Sequence, residues 1–422
     1  MNINSEIIGK GISLITIPAQ QYKTNLISIY FKRPLTREEV TKNSLIPYVL
    51  RAGSHNYHTQ SLMVKELQRL YGSSIGVEVN KVGERQILSF KLAYTNEKYL
   101  DEKIAQDAMN ILLDMIFNPY TEKGAFKESY VEVEKEILGE AILSKINNKA
   151  FYAVERMTSN MCQNEPFSIP EDGYIEDLRD IKPDNLFAHY QQIIRNSEID
   201  IVLSGDIDKD MVKEAIKQRN LQRDENLIEI PDEAIYFEPK EVKHITESLN
   251  VTQGKLVMGY RTNIDPKGDL SQALSLYGVI LGAGVSSKLF TNVREKHSLC
   301  YAIGASLEKM KSLMIIQAGI EISDYEKAKE KILEQVDAMT QGDITETELI
   351  NAQKFIINGI RSVSDSIWSM SDYIYGLRIQ GSEDTPDQII ERISQVTLEQ
   401  IAQVSKKVKL DTIYFLTNSE QE

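Results

Sequence analysis

The sequence predicts an α+β fold made of two homologous halves, each an antiparallel sheet with helices packed on one face. Two observations lead to this prediction. The chain has 422 residues, which is too long for one hydrophobic core and suits two domains of about 200 residues each. In addition, a series of six predicted elements occurs twice in the same order, which is the pattern expected after an internal duplication.

The first half begins with two predicted strands. The segments "GISLITIPAQ" and "NLISIYFKRP" are rich in β-branched and aromatic residues and are bounded by Gly, Asn and Pro. The next segment, "KNSLIPYVLRAGS", predicts a short helix with Asn43 or Ser44 as N-cap, Pro47 in its first turn and Gly53 at its end. A second helical pattern and the alternating hairpin "SIGVEVNKVGERQILSFKLAY" follow. Longer helices are predicted at 98–117, 122–144 and 147–161.

The second half repeats this order after an acidic connection. The strand "TQGKLVMGYRTNI" matches "TNLISIYFKRPL", and the helix "DLSQALSLYGVILGAG" matches "TKNSLIPYVLRAG". The segment "CYAIGASLEKMKSLMIIQAGI" is again a hairpin pattern, and two long helical patterns follow it. We therefore expect an N-terminal domain at 1–220, an acidic linker at 221–244 and a C-terminal domain at 245–422.

Composition excludes several classes of partner. The formal net charge of −14 argues against binding nucleic acid or an anionic membrane through bulk charge. There is no run of about 18 apolar residues, so no transmembrane helix is expected. The N-terminal segment lacks the basic start and apolar core of a signal peptide. Two cysteines cannot build a disulfide framework, and we expect a cytoplasmic location.

One motif is more specific than the rest. The segment "LGAGVSSKLFTNVREKHSLCYAIGAS", residues 281–306, closely resembles a motif of the insulinase/pitrilysin-type peptidases. The match is to the subfamily that includes the mitochondrial processing peptidase and its small bacterial relatives. Ten positions agree: Gly282, Gly284, Ser286, Ser287, Leu289, Phe290, Arg294, Glu295, Leu299 and Tyr301. The duplicated order and the length fit the same family, so the resemblance covers nearly the whole chain.

The resemblance implies where a zinc site would lie. The family carries His-x-x-Glu-His on a helix in the first half, where the histidines bind Zn²⁺ and the glutamate acts as general base. Aligning Gly53 and Ser54 with the family's Gly-Thr places Ser44 and Tyr48 at the histidine positions and Pro47 at the glutamate position. Serine and tyrosine are poor zinc ligands at neutral pH, and proline carries no transferable proton.

The distal zinc ligand is also missing. In the family this glutamate ends an "E-K-x-x-x-x-x-E" pattern, and "EKEILGEA" places Ala141 at that position. Glu140 is one residue away, about 100° round a helix. Because all of these positions lack the residues that bind zinc or act as the general base, we expect no zinc in this chain. We expect zinc only in a partner subunit.

Other candidate ligands have simpler interpretations. His55 and His58 lie beyond the predicted helix end and have no glutamate between them, so we interpret them as exposed loop residues rather than a displaced metal site. His297 falls at a variable position of the motif and is expected at the surface. Cys300 lies in an apolar segment and is expected to be a small buried hydrophobic residue.

Arg294 and Tyr301 carry the main functional expectation. In the family this Arg–Tyr pair faces the zinc site across a chamber, contacts substrate carbonyls and helps to stabilise the oxyanion. Periodicity alone favours a different interpretation, in which Arg294 lies on a solvated face and Tyr301 in the core. The ten-position match favours the functional one.

Three functions remain open at this stage. The first is a non-catalytic subunit that pairs with a homologous zinc-bearing peptidase, or with itself, and supplies the Arg–Tyr pair and half of a peptide chamber. The second is an active metallopeptidase with an unusual site, which the lack of a helix with two histidines at metal spacing disfavours. The third is a structural or scaffold protein without proteolytic activity.

Overall fold

The structure, a computed structural model, describes residues 3–418, which form two compact units. The first unit comprises the chain up to Leu143 together with Ile169–Pro231 and Val363–Tyr375. The second unit comprises Ser144–Ser168, Asp232–Ser362 and the chain from Gly376 onward. Each unit contains its own large β-sheet.

The strands follow the alternating patterns of the sequence. In chain order they are β1 Asn4–Gly9, β2 Ile12–Pro18, β3 Thr24–Pro34, β4 Ser74–Val82, β5 Arg85–Thr95, β6 Thr121–Glu122, β7 Ala125–Phe126, β8 Glu198–Gly205, β9 Lys243–Leu249, β10 Gly254–Arg261, β11 Ala302–Glu308, β12 Leu313–Ile320 and β13 Lys409–Asn418. The hairpin predicted near "NKVG" is β4–β5, and its turn includes Gly83 with a φ of 58°, a conformation that glycine adopts at low cost.

The helices alternate with these strands. In chain order they are α1 Val40–Ala52, α2 Gln60–Arg69, α3 Ala105–Phe117, α4 Glu128–Ser144, α5 Lys149–Met161, α6 Pro183–Asn196, α7 Lys209–Gln218, α8 Ser271–Gly282, α9 Tyr325–Thr340, α10 Glu346–Val363, α11 Ile367–Ile379, α12 Pro386–Ser394 and α13 Leu398–Lys407. A π-helical segment spans Leu289–Lys296. The predictions of helix from 98 and from 122 were wrong at their starts, because short 3₁₀ and β-hairpin turns precede α3 and α4.

The two sheets share the same order over five strands, and the first sheet has β1 as an additional edge strand. The first runs β4-β5-β3-β8-β2-β1, and the second runs β11-β12-β10-β13-β9. The central strands, β3 and β10, each have two antiparallel neighbours. Farther out, each sheet contains one parallel pair, β2 with β8 in the first sheet and β9 with β13 in the second. The α+β class is confirmed, with a parallel pair in each sheet that the sequence did not predict.

A large apolar core supports the first unit. Ile29 and Phe90 are cross-strand neighbours, and they pack in the same cluster as Val49 of α1 and Leu112 of α3. Each is at most 2% exposed, and complete burial of such a side chain contributes roughly 1.5–3 kcal/mol relative to exposure. The packing of α1 on this core fixes the positions of residues 44, 47 and 48.

The second unit includes a helix from the first half of the chain. Helix α5 places Ala153, Met157 and Met161 in one buried cluster with Val257 of β10. A Cβ atom added at Gly259 would lie only 2.5 Å from the Met161 sulfur, so the glycine allows α5 to approach the strand closely.

The first unit includes a helix from the second half in the same way. Tyr375 of α11 stacks on Tyr30 of β3 with ring centroids 3.7 Å apart, and its hydroxyl donates to Asp200 at 3.2 Å. Lys91 of β5 pairs with Asp372 of α11 at 2.9 Å. The units therefore exchange equivalent helices, since α5 follows α4 as α11 follows α10.

This exchange corrects the prediction that helices pack on one face. Val257 and Gly259 face α5, whereas Tyr260 points to the opposite face, where it interacts with Tyr277 of α8 and Asp337 of α9. The division into 1–220, 221–244 and 245–422 stays a prediction about homologous halves. The packed units do not follow it residue by residue.

The segment between the halves has no regular secondary structure. No helix or strand is present from Asn220 to Val242, and β9 begins at Lys243, inside the predicted linker. Among the described residues, no helix is long and apolar enough to cross a membrane.

Candidate functional site

Helix α1 carries three of the predicted degenerate zinc positions. It begins at Val40, with Glu39 as its N-cap, so the prediction of Asn43 or Ser44 as cap was wrong. Asn43 and Ser44 are instead buried within the helix, and Pro47 lies in its interior rather than in its first turn. Because proline has no N–H, residue 47 cannot donate the usual helical bond to the carbonyl of residue 43.

Ser44 is part of a buried polar cluster. Its Oγ lies 3.0 Å from the carbonyl oxygens of both Val40 and Glu171, and it accepts a hydrogen bond from Gln86 Nε2 at 3.0 Å. Gln86 Nε2 also donates to the Glu171 carbonyl at 2.9 Å. The Glu171 carboxylate accepts the Lys81 backbone N–H at 2.8 Å. The segment around Glu171 therefore packs directly against the Ser44 side of α1.

The same cluster continues to His189, which the sequence did not single out as functional. His189 Nε2 lies 2.7 Å from Asn43 Oδ1, while Asn43 Nδ2 donates to Gln86 Oε1 at 2.9 Å. Since Asn43 uses its amide group as donor to Gln86, the His189 Nε2 carries the proton. Burial lowers the pKa of His189 to about 4, so the ring is neutral at neutral pH.

Tyr48 and Ala141 have different surroundings. Tyr48 is half-buried with the Arg51 guanidinium 5.4 Å from its ring centroid, and burial raises the pKa of its phenol. Ala141 on α4 is exposed. About two turns earlier on α4 lies Glu134. Burial raises the pKa of Glu134, and the charge of Arg51 partly opposes this shift. Glu134 is the first glutamate of the "EKEILGEA" segment, and this position is the only feature of the sequence that could have drawn attention to it.

Arg294 lies at the C-terminal end of the π-helical segment. π-Helical turns are rare and are often found at functional sites. The Arg294 guanidinium lies 4.6 Å from the Phe290 ring centroid, and Ser298 follows with a left-handed φ of 53°. Cys300 is buried, and burial raises the pKa of its thiol to about 11 while the Arg294 charge lowers it.

Tyr301 immediately precedes β11 and is 60% exposed. The interpretation of Tyr301 as a core residue was therefore wrong. Its N–H donates to the Gly319 carbonyl at 2.9 Å, and its hydroxyl donates to the Glu321 carboxylate. The hydrogen bond to Glu321 raises the pKa of the Tyr301 phenol. Arg294 and Tyr301 thus lie in the same unit, near the two ends of one short connection, with Tyr301 presented at the surface.

The comparisons with known proteins identify the family. Residues 180–355 match the family model described as the peptidase M16 inactive domain. Over 416 residues the chain is 32% identical to the Bacillus subtilis protein named probable inactive metalloprotease YmfF. The alignment covers 97% of this chain and 96% of YmfF. The chain belongs to the M16 peptidase family. A second B. subtilis relative, the uncharacterized zinc protease YmxG, is 22% identical over 75% of this M16 chain and 77% of its own length.

Solved structures share the complete M16 fold with this chain. A conserved protein from Enterococcus faecalis superposes with a TM-score of 0.92 at 27% identity, and the match covers 100% of both chains. A peptidase M16 inactive domain from Pseudomonas fluorescens superposes with a TM-score of 0.81 at 14% identity over 99% of both chains. At that identity, the second likeness shows the fold alone.

The residues at the predicted zinc positions do not form a set of zinc ligands. Zinc sites in proteins use thiolate, imidazole and carboxylate ligands. Position 44 holds a hydroxyl that is already hydrogen-bonded, position 47 a proline, position 48 a phenol with a raised pKa and position 141 a methyl group. Within residues 3–418, no group of three or more His, Cys, Asp or Glu side chains could hold a metal ion.

His55 and His58 lie on an exposed loop after α1 in this M16 chain. The loop is held by buried Asp114, whose carboxylate accepts hydrogen bonds from Ser54 Oγ at 2.5 Å and from the Asn56 side chain at 2.8 Å. The His58 ring packs 4.8 Å from that of Tyr120. Asp114 gave no signal in the sequence, because it lies in the middle of the apolar helix α3. His297 is also exposed.

Proposed function

We propose that this chain is the non-catalytic subunit of a zinc-dependent peptidase pair. The observation that carries the proposal is the state of the zinc positions, where Ser44 is bonded inside the protein and Ala141 offers no ligand. Without a metal-bound water and a general base, the chain has no means of activating water for attack on a peptide bond.

The positive contribution of this subunit is the pair Arg294 and Tyr301. Tyr301 is exposed and carries an O–H donor, and Arg294 carries a fixed set of N–H donors. Groups of this kind stabilise the negative oxygen that develops when water attacks a carbonyl. In the proposed heterodimer they act on a peptide held at the zinc site of a homologous partner. We place the pair in the cytoplasm, where the two free cysteines would stay reduced.

The proposal has two competitors. A scaffold protein would use the same fold to bind partner chains without contributing to hydrolysis, and Arg294 and Tyr301 would then be dispensable for a partner's activity. An active peptidase with an unusual site would hydrolyse peptides alone. Self-association is the corresponding alternative to a heterodimer.

The test is co-purification followed by reconstitution. The tagged chain is isolated from its native cell, and a bound homologue with an intact His-x-x-Glu-His motif is sought among the captured proteins. Hydrolysis of an unstructured fluorogenic peptide is then measured with the chain alone, the homologue alone and the mixture. We expect activity only in the mixture, and a chelator should abolish it. Chelator-sensitive activity of the chain alone would contradict the proposal.

A further inference from the structure

A trough crosses three strands of the second sheet beside Tyr301. The strand register brings six residues to one face, in two rows of three. The rows consist of Lys255, Gly319 and Ala302, and of Val257, Gln317 and Gly304. Three of these positions are glycine or alanine, so the face is recessed between the larger side chains. All six residues line one pocket of about 240 Å³, and Ala150 of α5 closes part of its border.

The trough contains one cation. Lys255 Nζ donates to the side-chain oxygen of Gln253, and both groups lie above Gly319. A Cβ atom added at Gly319 would be 3.5 Å from Lys255 Nζ and 2.9 Å from Gln253 Oε1. Because residue 319 has no side chain, the ends of the Lys255 and Gln253 side chains lie directly over the backbone of β12.

Lys255 has no carboxylate partner within residues 3–418. Its only hydrogen bond is to the neutral Gln253 amide, and no Asp or Glu oxygen lies within 4.0 Å of it. Burial lowers the pKa of Lys255, and no neighbouring acid opposes this shift. A half-buried ammonium group without a counter-ion is electrostatically unsatisfied and favours an anionic ligand.

The trough is connected to the proposed peptide-binding element. Ala302, at one corner of the trough, follows Tyr301 directly, and the Tyr301 N–H donates to the carbonyl of Gly319 in the trough floor. A pocket of about 240 Å³ is smaller than the roughly 300–1,000 Å³ of typical small-molecule sites. It fits the side chain or the end of a peptide better than a whole cofactor.

We propose that this trough binds a carboxylate of an extended peptide that passes Tyr301, with Lys255 as its ion-pair partner and Gln253 and Gln317 as polar neighbours. This inference rests on the proposed function, because it names the class of peptide that the subunit selects: peptides with an acidic side chain or a free C-terminus near the contact with Tyr301. The site lies entirely on this chain, so binding does not require the partner subunit.

The experiment measures the binding of fluorescein-labelled unstructured peptides to the full chain by anisotropy. Three peptides share one neutral sequence: the first has a single glutamate and an amidated C-terminus, the second has glutamine and a free C-terminus, and the third has glutamine and an amidated C-terminus. We expect at least one of the first two to bind about tenfold more tightly than the third, the gain typical of a charge-assisted hydrogen bond. Comparing the first two shows which source of carboxylate the trough takes.

Two variants test the role of the trough itself. Lys255→Gln should remove the preference for the acidic peptide and leave the affinity for the neutral peptide unchanged. Gly319→Ala should weaken the binding of the acidic peptide at little cost to folding, because the atoms nearest to the new methyl group belong to the flexible ends of Gln253 and Lys255. Lys331→Gln, which removes a surface lysine paired with Glu334 on α9, is the matched control and should have no effect.

The outcomes separate this inference from the proposed function. Suppose that all three peptides bind equally, that Lys255→Gln has no effect and that Tyr301→Phe weakens binding. These results would refute carboxylate binding in the trough and would still support a peptide-binding subunit. Absence of binding for all peptides overturns both. An acidic preference that persists in Lys255→Gln also refutes the trough. Circular dichroism and thermal melting of each variant establish that it is folded.

Discussion

Ser44 Oγ lies 3.0 Å from the carbonyl oxygen of Glu171, and Gln86 donates to the same carbonyl at 2.9 Å. Ser44, the residue predicted to stand at the first histidine position of a zinc motif, is therefore part of the buried structure of the protein. A serine in this position does more than remove a ligand, because its hydroxyl now helps to satisfy a backbone carbonyl that would otherwise lose hydrogen bonds on burial. These hydrogen bonds satisfy polar groups in the interior, and they would be lost if a metal ligand replaced Ser44.

The first prediction concerns metal content. Purified without chelators, the chain should contain far less than one equivalent of zinc, because positions 44, 47, 48 and 141 offer no suitable ligand set. Inductively coupled plasma mass spectrometry is the measurement, with a homologue that retains His-x-x-Glu-His as the positive control. One tightly bound zinc that disappears in the His55→Ala, His58→Ala double variant would contradict the prediction and locate the metal in the loop.

The second prediction concerns the ion-pair network that holds the loop after α5 to the second sheet. Glu165 accepts hydrogen bonds from Arg261 at 2.6 Å and pairs with Lys311 at 2.7 Å, and both cations are at most 2% exposed. Glu165→Gln removes the carboxylate that both cations share, while Arg261 keeps its pair with Asp411 at 3.0 Å. The free energy of unfolding should fall by roughly 3–5 kcal/mol, the usual cost of breaking a buried pair from one side.

Chemical unfolding followed by circular dichroism measures this loss. Glu326→Gln is the control, because it breaks an exposed pair with Lys329 on one helix and should change the free energy of unfolding by less than about 1 kcal/mol. If Glu165→Gln lowered the free energy of unfolding no more than Glu326→Gln does, the network would not anchor the loop after α5.

The third prediction is a pH dependence of stability caused by His189. Burial lowers the pKa of His189 in the folded chain to about 4, whereas an unfolded histidine has a pKa near 6.5. Between these values the unfolded state binds more protons, so the free energy of unfolding falls as the pH falls from about 6.5 towards 4. The slope from this group is about 1.4 kcal/mol per pH unit.

The matched variant is His189→Gln, which keeps a side-chain N–H able to donate to Asn43. Urea unfolding at several pH values between 4.5 and 7 should show a shallower slope in this variant than in the wild type. Carboxylates with lowered pKa values, such as Glu165 and Asp177, contribute mainly below about pH 4.5 and lie outside this window. Identical slopes would mean that His189 is protonated in the folded state.

The sequence predicted the repeated order of elements along the chain well, because the alternation of strands and the periodicity of helices are local patterns. It could not predict the exchange of α5 and α11. Helix α5 is amphipathic and α11 only weakly so, and nothing in either local pattern specifies which sheet the helix contacts. The sheet that each helix contacts is evident only from tertiary packing. Met157 and Met161 of α5 pack on Gly259, and Tyr375 of α11 packs on Tyr30.

The errors at the site have the same origin. Asn43 and Ser44 resemble N-cap residues, because short polar side chains compete with backbone hydrogen bonds and favour helix starts. Here Gln86 on β5 and Glu171 after α5 satisfy their side chains, so both residues are accommodated inside α1. The residues that mattered most, Gln86, Glu171 and His189, are far apart in sequence, and no spacing rule connects them.

The fourth prediction concerns the carboxylate that accepts a hydrogen bond from the Tyr301 hydroxyl. Glu321 accepts this hydroxyl and raises the pKa of the phenol. In Glu321→Gln the acceptor is neutral, so the Tyr301 phenol should titrate at lower pH than in the wild type. Difference absorbance at alkaline pH, with Tyr301→Phe to identify the signal, is the measurement. The hydroxyl would also be freer to bond a peptide carbonyl, so turnover of the reconstituted pair should not fall.

A loss of turnover in Glu321→Gln as large as that of Tyr301→Phe would contradict this view. It would mean that Glu321 orients Tyr301 for its function rather than competing with the substrate for the hydroxyl. An unchanged titration would show that the hydrogen bond between the two side chains does not persist in solution.

The last prediction tests whether Arg294 and Tyr301 act on a partner's substrate. In the reconstituted pair, Tyr301→Phe deletes one hydroxyl and keeps the ring, so assembly should survive. Turnover should fall by roughly 10²–10³, or about 3–4 kcal/mol, the usual effect of removing one oxyanion donor. Arg294→Lys should also be harmful, because lysine keeps the charge and loses the planar arrangement of donors that can stack on Phe290.

The control is Tyr236→Phe, which removes the hydroxyl of another exposed tyrosine in the same unit and should leave turnover unchanged. Size-exclusion chromatography establishes that each variant still forms the pair, and steady-state kinetics separate kcat from KM. A donor that acts mainly in the transition state lowers kcat and kcat/KM together and changes KM little. Full activity of both Tyr301→Phe and Arg294→Lys in an intact pair would assign the two residues a structural role. The scaffold function would then account better for this chain, because its fold would be retained while its contribution to hydrolysis was absent.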